Sequence, residues 1–183
     1  AIIRYLGKII KYESRPLYPE DPIQALTADG LMDMLEDIWP ILIGLNGTES
    51  FDTAPLLATM FGKPRLIDFL EKKMEPKKGE LALMFDHIEK AYSTGPYLLK
   101  NQPSCADILL FAAIAWWGAA MFPSMEMILE SRPNIKRAIE TVGSWKKIKD
   151  YYCALKSTRK ILPTVGVTKY QDFYKNFHSL SMN

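Results

Sequence analysis

Cysteine is scarce: Cys105 and Cys153 are the two in 183 residues. That excludes a disulfide framework and makes a reducing compartment, the cytoplasm, the simpler expectation. Histidine is equally thin. His87 and His178 have no ligand partners at metal spacing, and no Ser-His-Asp or Cys-His set assembles from the residue order, so neither a metal centre nor a nucleophilic triad is legible. Charge of one sign is not in excess: 23 basic against 21 acidic side chains leave +2, which points to neither nucleic acid nor an anionic membrane. Alternating apolar residues, internal repeats and a signal-peptide pattern are all missing. The uncharged stretch from Ile108 to Met125 raises the question of a membrane span. It contains Gly118, Pro123 and Ser124 and lacks flanking belts, so it reads as a buried core helix.

What is present is helical. Apolar content of 48% in a 20.9 kDa chain is ample for a core and allows one large or two small domains. Apolar periodicity predicts helices at about 1–12, 22–45, 64–92, 104–121, 124–130, 133–142 and 144–156, an all-α fold. Asp21 can cap the second helix with Pro22 at its first position. Pro76 should kink or restart the third, beside the lysine pairs Lys72-Lys73 and Lys77-Lys78, which read as a solvated face. The loop 46–62 is long, and its Asn46-Gly47-Thr48 triplet is formally a glycosylation acceptor. Near the end, Tyr170, Phe173, Tyr174 and Phe177 recur at helical spacing, as a docked helix or as a lid.

The most informative segment is Pro103-Ser104-Cys105-Ala106-Asp107, opening into an apolar run. Ser104 and Asp107 have the spacing of a capping box: the serine hydroxyl accepts from the 107 N–H while the carboxylate reaches back to the 104 N–H. A helix this apolar starts away from water, so the cap marks the centre of the core. Cys105 stands at its first position, where a helix dipole can depress a thiol pKa; apolar neighbours favour an inert buried thiol instead. Asp29, Asp33, Glu36 and Asp37 share one face of the second helix. Four carboxylates in two turns repel one another, so something cationic should compensate. The chain opens with Ala1-Ile2-Ile3-Arg4-Tyr5-Leu6-Gly7, apolar at helical spacing from the first residue, and a chain that starts inside a helix is expected to lack something before it.

These three features, followed by Pro133-Asn134-Ile135-Lys136 and Trp145-Lys146-Lys147-Ile148-Lys149-Asp150-Tyr151, together resemble a cytosolic glutathione transferase of the alpha, mu, pi and sigma group. The likeness covers most of residues 1–156; the 46–63 loop and the tail do not match clearly. Trp145 stands where the family often has proline, a departure in packing rather than in the active site.

The resemblance implies that residues 1–12 are the last helix of an otherwise missing thioredoxin-like domain, 13–163 the C-terminal helical bundle, and 164–183 an amphipathic tail. The residue that activates the glutathione thiol would lie in the missing domain, so no catalytic residue is named in this chain. Asp37 matches the carboxylate that reaches the α-amino group of glutathione in the partner subunit. Asp29 and Asp33 match positions that pair with basic residues of the opposite first helix, here Arg4 and Lys8. Some relatives bind a divalent ion near positions like Asp33, Glu36 and Asp37; oxygens this sparse favour no metal site here. The electrophile pocket would be lined by Met34, Ile41, Trp116 and Trp117, with Phe173 or Phe177 as lid. The implied protein is a homodimer using glutathione as co-substrate against a small apolar electrophile. The alternative is a non-catalytic scaffold of the same fold; a redox module working through Cys105 is a third reading.

Overall fold

A computed structural model describes residues 1–42, 73–75, 78–121 and 128–157. The chain begins with α1 (Ile2–Ile9), shorter than the expected 1–12. Ile10 leaves the helix in an extended conformation, and a small hairpin follows, β1 (Lys11–Tyr12) paired antiparallel with β2 (Arg15–Pro16). Glu13 (φ 48°) and Ser14 (φ 70°) form its two-residue turn. Positive φ at both central positions matches the right-handed twist of the flanking strands, although Asn-Gly is the usual pair there. The hairpin corrects the expectation of no strand: two-residue strands are too short to show alternation.

α2 (Pro22–Leu42) starts where expected, with the Gln24 N–H donating to Asp21 Oδ1 at 2.9 Å. Its inner face presents Ala28, Leu31, Met32, Leu35, Ile38 and Ile41, all buried at helical spacing. Then come α3 (Glu80–Ala91), α4 (Cys105–Met121), a helical stretch at 128–130, α5 (Pro133–Gly143) and α6 (Lys146–Ser157). The fold is the all-α bundle expected. Pro76, the 46–62 loop, the glycosylation triplet and the aromatic tail lie outside the described residues.

α4 is the hub, packing against α5, α2 and α1, while α3 packs on α2 and α5. Leu110, Phe111 and Ile114 of α4 meet Phe85 and Ile88 of α3 and Ile135 and Ile139 of α5 in one core. Helix ends are satisfied by neighbouring helices as well as by local side chains. The Glu89 carboxylate on α3 accepts from the N–H groups of Asn134 and Ile135, each at 2.9 Å, capping α5. In return Arg137 on α5 donates to the carbonyls of Tyr92 and Gly95 just past the end of α3. Arg132, only 8% exposed, lies against the Phe85 ring and pairs with Asp86 at 2.7 Å.

Candidate functional site

Asp107 sits in the first turn of α4 and is almost wholly buried. Its Oδ1 accepts from the Tyr92 hydroxyl and the Leu98 N–H, both at 2.8 Å. Its Oδ2 accepts from the Ser104 N–H at 2.6 Å and the Ser104 hydroxyl at 2.8 Å. The reach-back half of the capping box is therefore formed. The other half differs: the Ser104 hydroxyl donates to the carboxylate, and the 107 N–H goes to the Ser104 carbonyl at 3.2 Å. A carboxylate in a dry site is the strongest acceptor within reach, and it draws the hydroxyl proton to itself. Burial pushes the Asp107 carboxyl above its ordinary range, while the bonds from Leu98, Ser104 and Tyr92 hold it part-way back. Tyr92 is raised well above the ordinary phenol value by its own burial and by the adjacent charge. No sequence spacing announced Tyr92 or Leu98 as partners.

Cys105 is the first residue of α4 and is buried, its Sγ 3.9 Å from Met32 Sδ. Burial raises its thiol pKa, outweighing the backbone N–H groups that lower it. A resting thiolate is disfavoured.

The acidic face lies on α2, and α1 supplies its cation. Arg4 Nε bonds Asp29 Oδ1 at 2.6 Å, Arg4 Nη2 reaches Asp33 Oδ1, and the Tyr18 hydroxyl donates to Asp29 Oδ2 at 3.0 Å. The resemblance placed this pairing across two subunits; here it is made within one chain, because α1 and α2 each pack against α4 and meet there. Lys8 takes a different role, its ammonium 5.1 Å from the centre of the Tyr18 ring. Glu36 and Asp37, further along α2, are exposed and have no ion-pair partner among the described residues. Among those residues no group of three His, Cys, Asp or Glu side chains could hold a metal.

Burial alone would raise the Asp29 carboxyl, but the hydrogen bonds from Arg4 and Tyr18 and the charges of Arg4 and Lys8 outweigh it and hold the pKa below its ordinary value. A carboxyl lowered by folding stabilises the native state above its unfolded pKa, and that contribution is lost as pH falls through the folded one. Resistance of the wild type to chemical denaturant should therefore fall below about pH 4. Arg4→Met should be less stable at neutral pH and should lose less on acidification; parallel acid limbs would count against the pairing.

α1 is amphipathic in an inverted sense. Gly7 is buried against Cys105 and Tyr18, and Arg4 faces α2, so the helix docks through its small and polar side. Its aliphatic stripe faces outward, with Ile2 75% and Ile9 57% exposed and Ile3, Leu6 and Ile10 also exposed. Of the expected pocket residues, Met34 is half-buried, whereas Ile41 and Trp117 are core residues, each 2% exposed, and Trp117 packs edge-on against Phe85. Both belong to the hydrophobic core of the bundle. The Trp116 side chain, Phe173 and Phe177 lie outside what is described. An open groove of about 370 Å³ lies between α1 and the start of α2, lined by Lys8, Pro16, Tyr18, Pro19, Glu20 and Ala25.

A helical bundle centred on a capped apolar helix, with an acid-rich helix on its flank, defines an all-α helical domain. Residues 55–154 match the family model described as glutathione S-transferase, C-terminal domain, and the chain belongs to that family. No curated protein and no solved structure matches it. No helix among the described residues is long and apolar enough to cross a membrane.

Proposed function

We propose that this chain is the helical half of a cytoplasmic glutathione transferase of the alpha, mu, pi and sigma group, acting as a homodimer that conjugates glutathione to small apolar electrophiles. The observation that carries the reading is the outward aliphatic stripe of α1 (Ile2, Ile3, Leu6, Ile9, Ile10), on a helix that docks to its own bundle through Gly7 and Arg4. Leaving that much aliphatic surface in water is unfavourable, and a thioredoxin-like module packed on it would bury the stripe. Thiol activation would belong to that module, and Met34 remains a candidate contact for the electrophile.

Asp37 then takes the role the family assigns to it. Its carboxylate is exposed and unpaired among the described residues, so it is available to accept from the α-amino group of glutathione held by the partner subunit. Arg4 and Lys8 with Asp29 and Asp33 would support the dimer face from within each chain. The intact protein should be retained on immobilised glutathione and should conjugate a chlorodinitrobenzene-type substrate. Asp37→Ala should raise the Kd for glutathione about tenfold or more, the scale of a charge-assisted hydrogen bond, with thermal stability unchanged. An unchanged affinity removes the assignment of Asp37. A dimer that neither binds nor conjugates glutathione would favour a scaffold of the same fold.

A further inference from the structure

Trp145 lies between α5 and α6, and two distant segments of the chain meet it there. Its ring stacks on Tyr12 of β1, with centroids 4.6 Å apart and planes inclined by 29°. Its indole N–H donates to the Tyr97 hydroxyl at 3.3 Å, and the Tyr97 ring lies 6.1 Å away in a tilted arrangement. Tyr12 lies three residues past the end of α1, so this stack holds the far end of the segment that Gly7 and Arg4 anchor in its middle. Between the two anchors the backbone is laced. The Leu17 N–H donates to the Ile10 carbonyl at 3.1 Å, the Tyr18 N–H to the Gly7 carbonyl at 2.8 Å, and the Cys105 N–H to the Leu17 carbonyl at 2.8 Å.

We propose that Trp145 is an orientation clasp: by gripping Tyr12 it holds the hairpin, and through it α1 and its outward aliphatic face, at one angle to the bundle. The backbone bonds at Gly7 and Ile10 hold the C-terminal half of α1 to the segment after the hairpin; a side-chain anchor at Tyr12, beyond the helix end, fixes the hairpin that both strands belong to and so restricts pivoting of the whole unit. The chain therefore does not bend at residues 12–13, where the family likeness divides it. α1 and the hairpin belong mechanically to the helical domain, and whatever packs on α1 meets the acidic face of α2 in a preset geometry. The clasp is independent of glutathione chemistry and stands or falls without it.

Native-state hydrogen exchange on the intact protein tests it. Trp145→Ala and Tyr12→Ala should each speed exchange of the Leu17 and Tyr18 amides about three- to tenfold, the scale of one aromatic stack. The Asn134 and Ile135 amides, bonded to Glu89, should keep their rates. Because both variants break the same contact, the double variant should add little to either. Trp145→Phe, which keeps a ring, should lie between wild type and alanine, and with Tyr12→Ala it carries the test if Trp145→Ala does not fold. Unchanged exchange at Leu17 and Tyr18, loosening confined to α6, or fully additive effects would each overturn the clasp.

Discussion

Asp107→Ala is expected to lower the unfolding free energy by about 3–5 kcal/mol, leaving the protein largely unfolded at 37 °C or recovered only at low temperature. A helix cap alone is worth about 0.5–2 kcal/mol. The larger figure follows from the geometry, because alanine strips the acceptor from the Tyr92 hydroxyl, the Leu98 N–H and both the N–H and hydroxyl of Ser104. Each buried donor left without a partner costs about 1–3 kcal/mol, reduced where a group can relax toward water. Asp107→Asn should be intermediate: its oxygen can serve Tyr92 and Leu98, but its NH₂ then confronts the Ser104 donors. Tyr92→Phe removes one donor and leaves the carboxylate with the other three, so it should cost only about 1 kcal/mol. Urea unfolding followed by circular dichroism ranks the three. If Asp107→Ala costs no more than Tyr92→Phe, the carboxylate is not the centre of this network.

The second large effect is expected at Gly7. A Cβ there would lie 3.1 Å from Cys105 Cβ, from Cys105 Sγ and from Tyr18 Cβ. Two of these atoms are the first carbons of their side chains, fixed to the backbone, and the Cys105 and Tyr18 N–H groups are themselves bonded to neighbouring carbonyls. Neither can swing aside cheaply. Gly7→Ala should be close to neutral, because removing a helix glycine gains up to about 1 kcal/mol and offsets the crowding of one methyl. Gly7→Val adds two further carbons to the same gap and a poorer helix former, and should cost about 2–3 kcal/mol. The readout is the urea midpoint together with exchange at the Tyr18 amide, whose acceptor is the Gly7 carbonyl. A valine variant as stable as the alanine one would mean that α1 does not approach α4 this closely.

Signals confined to a few residues were legible. Asp21 followed by Pro22 marks the start of α2, and the structure begins the helix there, with the Gln24 N–H on the Asp21 carboxylate. Ser104 and Asp107 marked the start of α4, and the carboxylate does reach back to the 104 N–H. The hairpin was not legible, because its strands are two residues long and its turn uses Glu13 and Ser14 in place of the residues that usually accept positive φ. The cap of α5 comes from Glu89, 45 positions before the N–H it binds, and no spacing rule reaches that far. Ile41 and Trp117 looked the same from the sequence whether they lined a pocket or filled the core; only the helices packed around them decide between the two.

By itself the sequence determined the helical class, the central place of α4 and the crowding of acid on one face of α2. Backbone hydrogen bonding repeats every three or four residues, and each of those features lies within that reach. Tertiary packing alone decided that Arg4 of the same chain answers Asp29 and Asp33, that α1 turns its aliphatic side outward, and that Asp107 serves partners beyond its own helix. Those outcomes depend on which donors and which apolar surfaces are shut away from water together, and that is set when helices distant in the chain come into contact.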